Sequence, residues 1–110
     1  MKKDKRIQKN EEFNSIIKQR HSKASKIFIV YFSNRKEDHA RVGISVSKKL
    51  GNAVVRNKIK RQLRMMIQET INFDEAKYDY IVIVRKDYLL NSYDANKKDL
   101  EKTIKTCKII

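Results

Sequence analysis

Apolar positions recur in a regular pattern along several stretches of this 110-residue chain. Phe13, Ile16 and Ile17 fall at helical spacing. Asn10 precedes them as a candidate N-cap, and Glu11 and Glu12 fill the first turn, where the helix dipole favours acids. The spacing predicts a helix from about Glu11 to Arg20. "KIFIVYFS", Lys26 to Ser33, is apolar, β-branched and aromatic, which reads as a strand. "ARVGISVSKK" alternates Val42, Ile44 and Val46 against Arg41, Gly43 and Ser45. It reads as a second strand, the hairpin partner of the first across the polar turn "NRKEDH".

"LGN" breaks the alternation, and Asn52 is placed to cap a helix from about Ala53 to Ile71. On that helix Val55, Ile59, Leu63 and Met66 share one face. "NFDEAKYD" reads as a loop, "YIVIVR" (Tyr80 to Arg85) as a buried strand, and "YLLNSYD" as a turn. "ANKKDLEKTIKTCKII" reads as a C-terminal helix with Leu100, Ile104 and Cys107 on one face. The order is helix, two or three strands, helix, strand, helix. This is a single α+β domain around one sheet, preceded by a short basic arm at residues 1–9, flexible until bound.

Charge changes the picture. Lys and Arg number 27 against 13 Asp and Glu, a formal net charge of +14. A chain so basic is expected to sit against a polyanion. Arg56, Lys60 and Arg64 follow one another at i, i+4, i+8 beside the apolar stripe. Asn57 and Arg61 widen that face, and Lys58 borders the stripe from its other side. Lys48 and Lys49 lie just before the helix, and no Asp or Glu occurs between Asp38 and Glu69. An ordinary solvated face mixes signs at i, i+4, whereas stacked like charges destabilise an isolated helix. The density therefore points to a phosphate-binding face.

Among polyanions, a membrane surface would require a free apolar face, and here that face is needed by the sheet. Nucleic acid fits best, since Arg and Asn suit phosphate and base-edge contacts. The strands argue against a helix-turn-helix protein. Tyr31 and Phe13 could stack unpaired bases, although ordinary core positions explain each of them taken alone.

Other chemistry is sparse. The lone Cys107 cannot form an internal disulfide and suits a reducing compartment. His21 and His39 have no metal-ligand spacing to an acid or Cys, and read as surface residues. Asp74, Glu75 and Asp79 form the only acidic cluster near a strand. Asp74 and Glu75 could attract magnesium, but a solvated loop is the plainer reading. No apolar run is long enough to span a bilayer, and the basic N-terminus lacks the apolar region of a secretory signal, so a cytoplasmic location is expected.

The stretch "GISVSKKLGNAVVRNKIKRQLR" resembles the signature of the protein component of bacterial ribonuclease P, through Gly51-Asn52-Ala53-Val54, Arg56-Asn57-Lys58, Lys60-Arg61 and Arg64. "KNEEF", "FIVYF", "RVGISVSKK" and "YDYIVIVRK" extend the resemblance over most of residues 5–86. The resemblance implies an α-β-β-β-α-β-α fold around one four-stranded mixed sheet, with a left-handed βαβ crossover through the basic helix. It implies a large catalytic RNA as partner, and removal of the 5′ leader of precursor tRNA by RNA-borne, magnesium-dependent chemistry.

It also implies roles for particular residues. Lys48, Lys49, Asn52, Arg56, Asn57, Lys58, Lys60, Arg61 and Arg64 would face the catalytic RNA. Phe13, Ile17, Tyr31 and Ile83 would line a cleft for the leader. No catalytic side chain, no metal held by the protein and no obligate protein partner are expected. Two departures stand out. Lys58 replaces a frequent Arg and loses bidentate geometry, and Ile17 replaces a frequent aromatic, leaving apolar contact without stacking. A ribosomal-type RNA-binding protein and a self-sufficient nuclease remain the competing classes.

Overall fold

The computed structural model describes residues 1–109. Helix α1 spans Asn10–Lys18, and strands β1 (Ser22–Ala24), β2 (Phe28–Asn34) and β3 (Val42–Ser45) follow. Helix α2 spans Ala53–Thr70, β4 spans Tyr78–Val84 and α3 spans Tyr93–Lys105. Short 3-10 turns cover Lys3–Lys5, Lys48–Leu50 and Lys86–Leu90. The four strands form one mixed sheet in the order β1-β2-β4-β3. β2 runs antiparallel to both β1 and β4, and β3 runs parallel to β4.

The hairpin expected between β2 and β3 is not formed, because β4 lies between them. The reason is visible in the side chains. β4 reads Tyr80-Ile81-Val82-Ile83-Val84, apolar on both faces, and such a strand belongs in the middle of a sheet covered on both sides. β3 is short and alternates, which suits an edge. The extra strand β1 is an exposed Ser-Lys-Ala segment with no apolar alternation to announce it. Strand limits move slightly from those expected: β2 begins at Phe28 and β4 at Tyr78.

The sheet separates two apolar layers. Phe28, Val30, Phe32, Val42, Val82 and Val84 face α2 and α3, meeting Ile59, Leu63, Met66, Ile67 and Leu100 in the main core. Ile81 faces the opposite side, where Ile7 and Ile16 cover it. On α2, Ile59, Leu63 and Met66 are buried as the periodicity predicted, while Val55 is only half-buried. Asn52 caps α2, its Oδ1 accepting the Val55 N–H at 3.1 Å. Ser92 caps α3 by accepting from Ala95 N–H, so α3 starts earlier than expected, and Cys107 lies just past its end. Burial pushes the Cys107 thiol up to about 12, which keeps it protonated and inert at neutral pH.

At the N-terminus Asn10 is the first helical residue and not the cap. Lys9 holds the cap position with no side-chain hydrogen bond. α1 ends at Lys18, and Arg20 takes a left-handed conformation (φ 59°) that turns the chain towards β1. The basic arm folds back over the sheet edge. Ile7 N–H donates to Val42 O at 3.1 Å, Arg6 pairs with Val42 as a parallel bridge, and the Ile7 side chain is buried.

One ion cluster joins α1 to the sheet. The Arg41 guanidinium reaches Glu12 of α1 at 2.6 Å and the buried Asp79 of β4 at 3.3 Å. Asp79 also accepts the Arg41 backbone N–H at 2.9 Å. The hydrogen bond from Arg41 holds the Glu12 carboxyl below its usual value of 4.5, against a smaller opposing effect of burial. A depressed carboxyl contributes stability above its unfolded pKa and loses it as pH falls through the folded one. Acid unfolding should therefore include a loss of stability below about pH 4.5 that Glu12→Gln removes. Chemical denaturation of both proteins between pH 3 and 6 measures this (a range chosen to bracket that carboxyl, roughly). Parallel pH profiles would deny Glu12 the role.

Candidate nucleic-acid interface

Three elements build the candidate site: α1, the exposed edge of β3 and the flank of α2. Gln8, Phe13, Ile44 and Lys60 are shared by two contiguous hollows of about 290 and 490 Å³, which together form one groove. Arg6, Val42 and Arg64 wall one end, and Asn10, Ile17, Ser45 and Val46 wall the other. Its floor is apolar and its α2 side is cationic. That pairing suits a chain of phosphates carrying unpaired bases.

Gly43 makes the groove possible. A Cβ there would lie 2.6 Å from Phe13 Cζ and 2.9 Å from Ile81 Cδ1. Only glycine lets the tip of the Phe13 ring come so close to the strand while Phe13 still lines the groove. Arg41, two residues before it, holds the same helix through Glu12. α1 is thus docked by an apolar contact and an ion cluster placed side by side.

The four residues expected for a leader cleft are all half-buried. Phe13 and Ile17 line the groove. Tyr31 and Ile83 pack with Phe13 around Ile16 and Ile81 on the same sheet face, and border the groove without lining it. The cationic set divides. Lys60 and Arg64 turn into the groove, and Arg56 is half-buried with its Nε enclosed and unpartnered. Asn57 and Arg61 face solvent. Lys58 turns to the other flank of α2, beside Gln62 and Tyr88. Lys48, Lys49 and Asn52 are exposed at the N-terminal end of α2, where the helix dipole adds positive potential. Among the described residues, no carboxylate lies within 4.0 Å of any of these cations.

Arg6, Gln8, Ile44, Ser45 and Val46 also line the groove, and sequence reasoning missed all five as site residues. Ile44 and Val46 were visible only as strand alternation, because their role depends on β3 being an edge. Asp79, grouped by sequence with Asp74 and Glu75, is committed to Arg41 instead. Among the described residues, no three His, Cys, Asp or Glu side chains could share a metal ion. Arg6, Lys60 and Arg64 disfavour a divalent cation on the protein side of the groove. No described helix is long and apolar enough to cross a membrane.

Fold and site define a small, strongly basic α+β domain with a cationic, apolar-floored groove, the equipment of a nucleic-acid-binding protein. The ribonuclease P family model matches residues 1–108, and the chain belongs to the ribonuclease P protein family. It is 48% identical over 105 residues to the ribonuclease P protein component of Mesoplasma florum, covering 94% of this chain and 96% of that one. The structure of the Staphylococcus aureus RNase P protein superposes with a TM-score of 0.83 at 42% identity, over 96% of both chains. The RNase P protein from Thermotoga maritima gives 0.82 at 27% identity, over 94% of this chain and 98% of that one.

Gly43→Ala should cost about 1–3 kcal/mol through overpacking, since Phe13 or Ile81 must move. Urea unfolding measures the loss. Stability equal to the parent's would show that the ring is not held against Gly43.

Proposed function

We propose that this chain is the protein subunit of a ribonuclease P ribonucleoprotein and acts by holding RNA in place. The observation that carries the reading is the groove in which Phe13 and Ile17 face Lys60 and Arg64. The solvent-facing cations Lys48, Lys49, Lys58 and Arg61, with Asn52, Asn57 and Arg56, bind the phosphate backbone of the catalytic RNA. The groove and its border residues Tyr31 and Ile83 receive the single-stranded 5′ leader of precursor tRNA. Bases rest on Phe13, Tyr31 and the aliphatic floor, while Lys60 and Arg64 neutralise the phosphates passing between leader and catalytic RNA.

Hydrolysis of the phosphodiester belongs to the RNA, and so does its magnesium. The protein supplies no general acid, base or nucleophile. It contributes by fixing the substrate and by lowering phosphate repulsion, so fewer metal ions are needed to bring two RNAs together. Such a reaction takes place in the cytoplasm. No membrane and no further protein are required.

The placement of each residue separates the expected effects. Arg61→Ala should weaken binding to the catalytic RNA and flatten its salt dependence by about 0.7–0.9 log units of slope per lost phosphate contact. Arg64→Ala should do so too, and should also weaken leader binding, because Arg64 lines the groove. Tyr31→Ala should weaken holoenzyme affinity for leader-bearing tRNA by roughly 1–3 kcal/mol and leave mature tRNA nearly unchanged. Equal losses for both tRNAs would remove Tyr31 from the leader site. Titrations of both substrates across salt concentrations measure all three effects.

A further inference from the structure

On the flank of α2 opposite the groove, α2, the 3-10 turn Lys86–Leu90 and the start of α3 enclose a second cavity of about 260 Å³. Val55, Tyr88, Leu89 and Tyr93 give it apolar walls, and Lys58 and Gln62 stand beside them. Among the described residues no carboxylate lines it. Leu89 is 51% exposed, and its neighbour Leu90 and Val54, next to Val55, are 80% and 78% exposed. Four large apolar side chains are this exposed among the described residues; Leu89 lines the cavity, and Leu90 and Val54 each adjoin a lining residue in sequence. A concentration of that kind marks a surface that something covers.

Chemistry selects the occupant. The amides at the cavity are half used: Gln62 Oε1 accepts from the Tyr88 hydroxyl at 2.8 Å, and Asn91 Nδ2 donates to Asp87 O at 2.7 Å. A free amide donor on Gln62 and a free amide acceptor on Asn91 remain, the pair that the edge of a nucleobase satisfies. Lys58 at the cavity and Lys48 and Lys49 on the adjacent 3-10 turn bring positive charge to the same corner, with no acidic partner among the described residues. A peptide needs an acceptor and a donor at every residue and a space longer than this one, whereas one flat base is matched by a single donor and acceptor pair in about 260 Å³.

We infer that this cavity is a binding pocket for one unpaired nucleobase of the catalytic RNA, held between Leu89 and Tyr93 while Lys58 takes the adjoining phosphate. The inference rests on the reading of the chain as the partner of that RNA. It adds a contact on the side of α2 away from the leader groove, so that the helix is gripped on both flanks.

Leu89→Ser tests it, because Leu89 is half in solvent and its truncation leaves the core intact. The variant should bind catalytic RNA roughly tenfold more weakly, with the slope of affinity against salt unchanged, since no phosphate contact is lost. In the assembled holoenzyme, a photoreactive benzoylphenylalanine replacing Leu89 should cross-link to one unpaired nucleotide of the catalytic RNA. Parental affinity for Leu89→Ser, or a cross-link found only on precursor tRNA or nowhere, overturns the inference. Failure of the parent protein itself to bind the catalytic RNA would instead overturn the subunit reading on which it rests.

Discussion

The ion cluster of Glu12, Arg41 and Asp79 decides where α1 sits, and the groove depends on where α1 sits. Asp79 projects from the central strand, almost fully enclosed, and a charge so placed is costly unless it is paired. Arg41 satisfies it twice, through its backbone N–H and its guanidinium, and reaches on to Glu12 in the first turn of the helix. Two residues along β3, Gly43 leaves the space that Phe13 fills. The helix is thereby clamped at its N-terminal half, and its next turn buries Ile16 against Ile81 and leaves Ile17 lining the groove.

The same edge explains why the two functional surfaces meet. β3 is paired on one side by β4, and on the other, among the described residues, its backbone bonds only to the arm at Arg6 and Ile7. Because β3 leads into α2 through the Lys48–Leu50 turn, the basic helix passes beside the groove and gives it Lys60 and Arg64 from its middle turns. Lys60 and Arg64 can then serve the groove while Arg61 faces outward on the same two turns. The positive charge that would weaken α2 as an isolated helix is tolerated because its apolar stripe is anchored by Ile59, Leu63, Met66 and Ile67. The cost of repulsion is carried by the core until a polyanion removes it.

Much of this was legible in the sequence, and the gaps have physical causes. The basic face of α2, its Asn52 cap and its buried stripe follow from local spacing, which a helix preserves. The alternation of β3 gave the strand but not its neighbour, because pairing partners are a non-local choice settled here by the two-sided apolar character of β4. β1 carries no apolar signal at all. The role of Asp79 was hidden for the same reason: it lies close in sequence to Asp74 and Glu75, and only the sheet register sets it beside Arg41. The family signature supplied what spacing could not, that Phe13 and Tyr31 are more exposed than core aromatics.

The central claim is that this protein positions RNA and performs no chemistry of its own. Cleavage of precursor tRNA at low magnesium tests it most directly, with ribonuclease P RNA alone, this protein alone, and the two together. Specific release of the 5′ leader only in the combined reaction is the predicted result. Specific cleavage by RNA-free protein would contradict it, and so would RNA activity that the protein leaves unchanged.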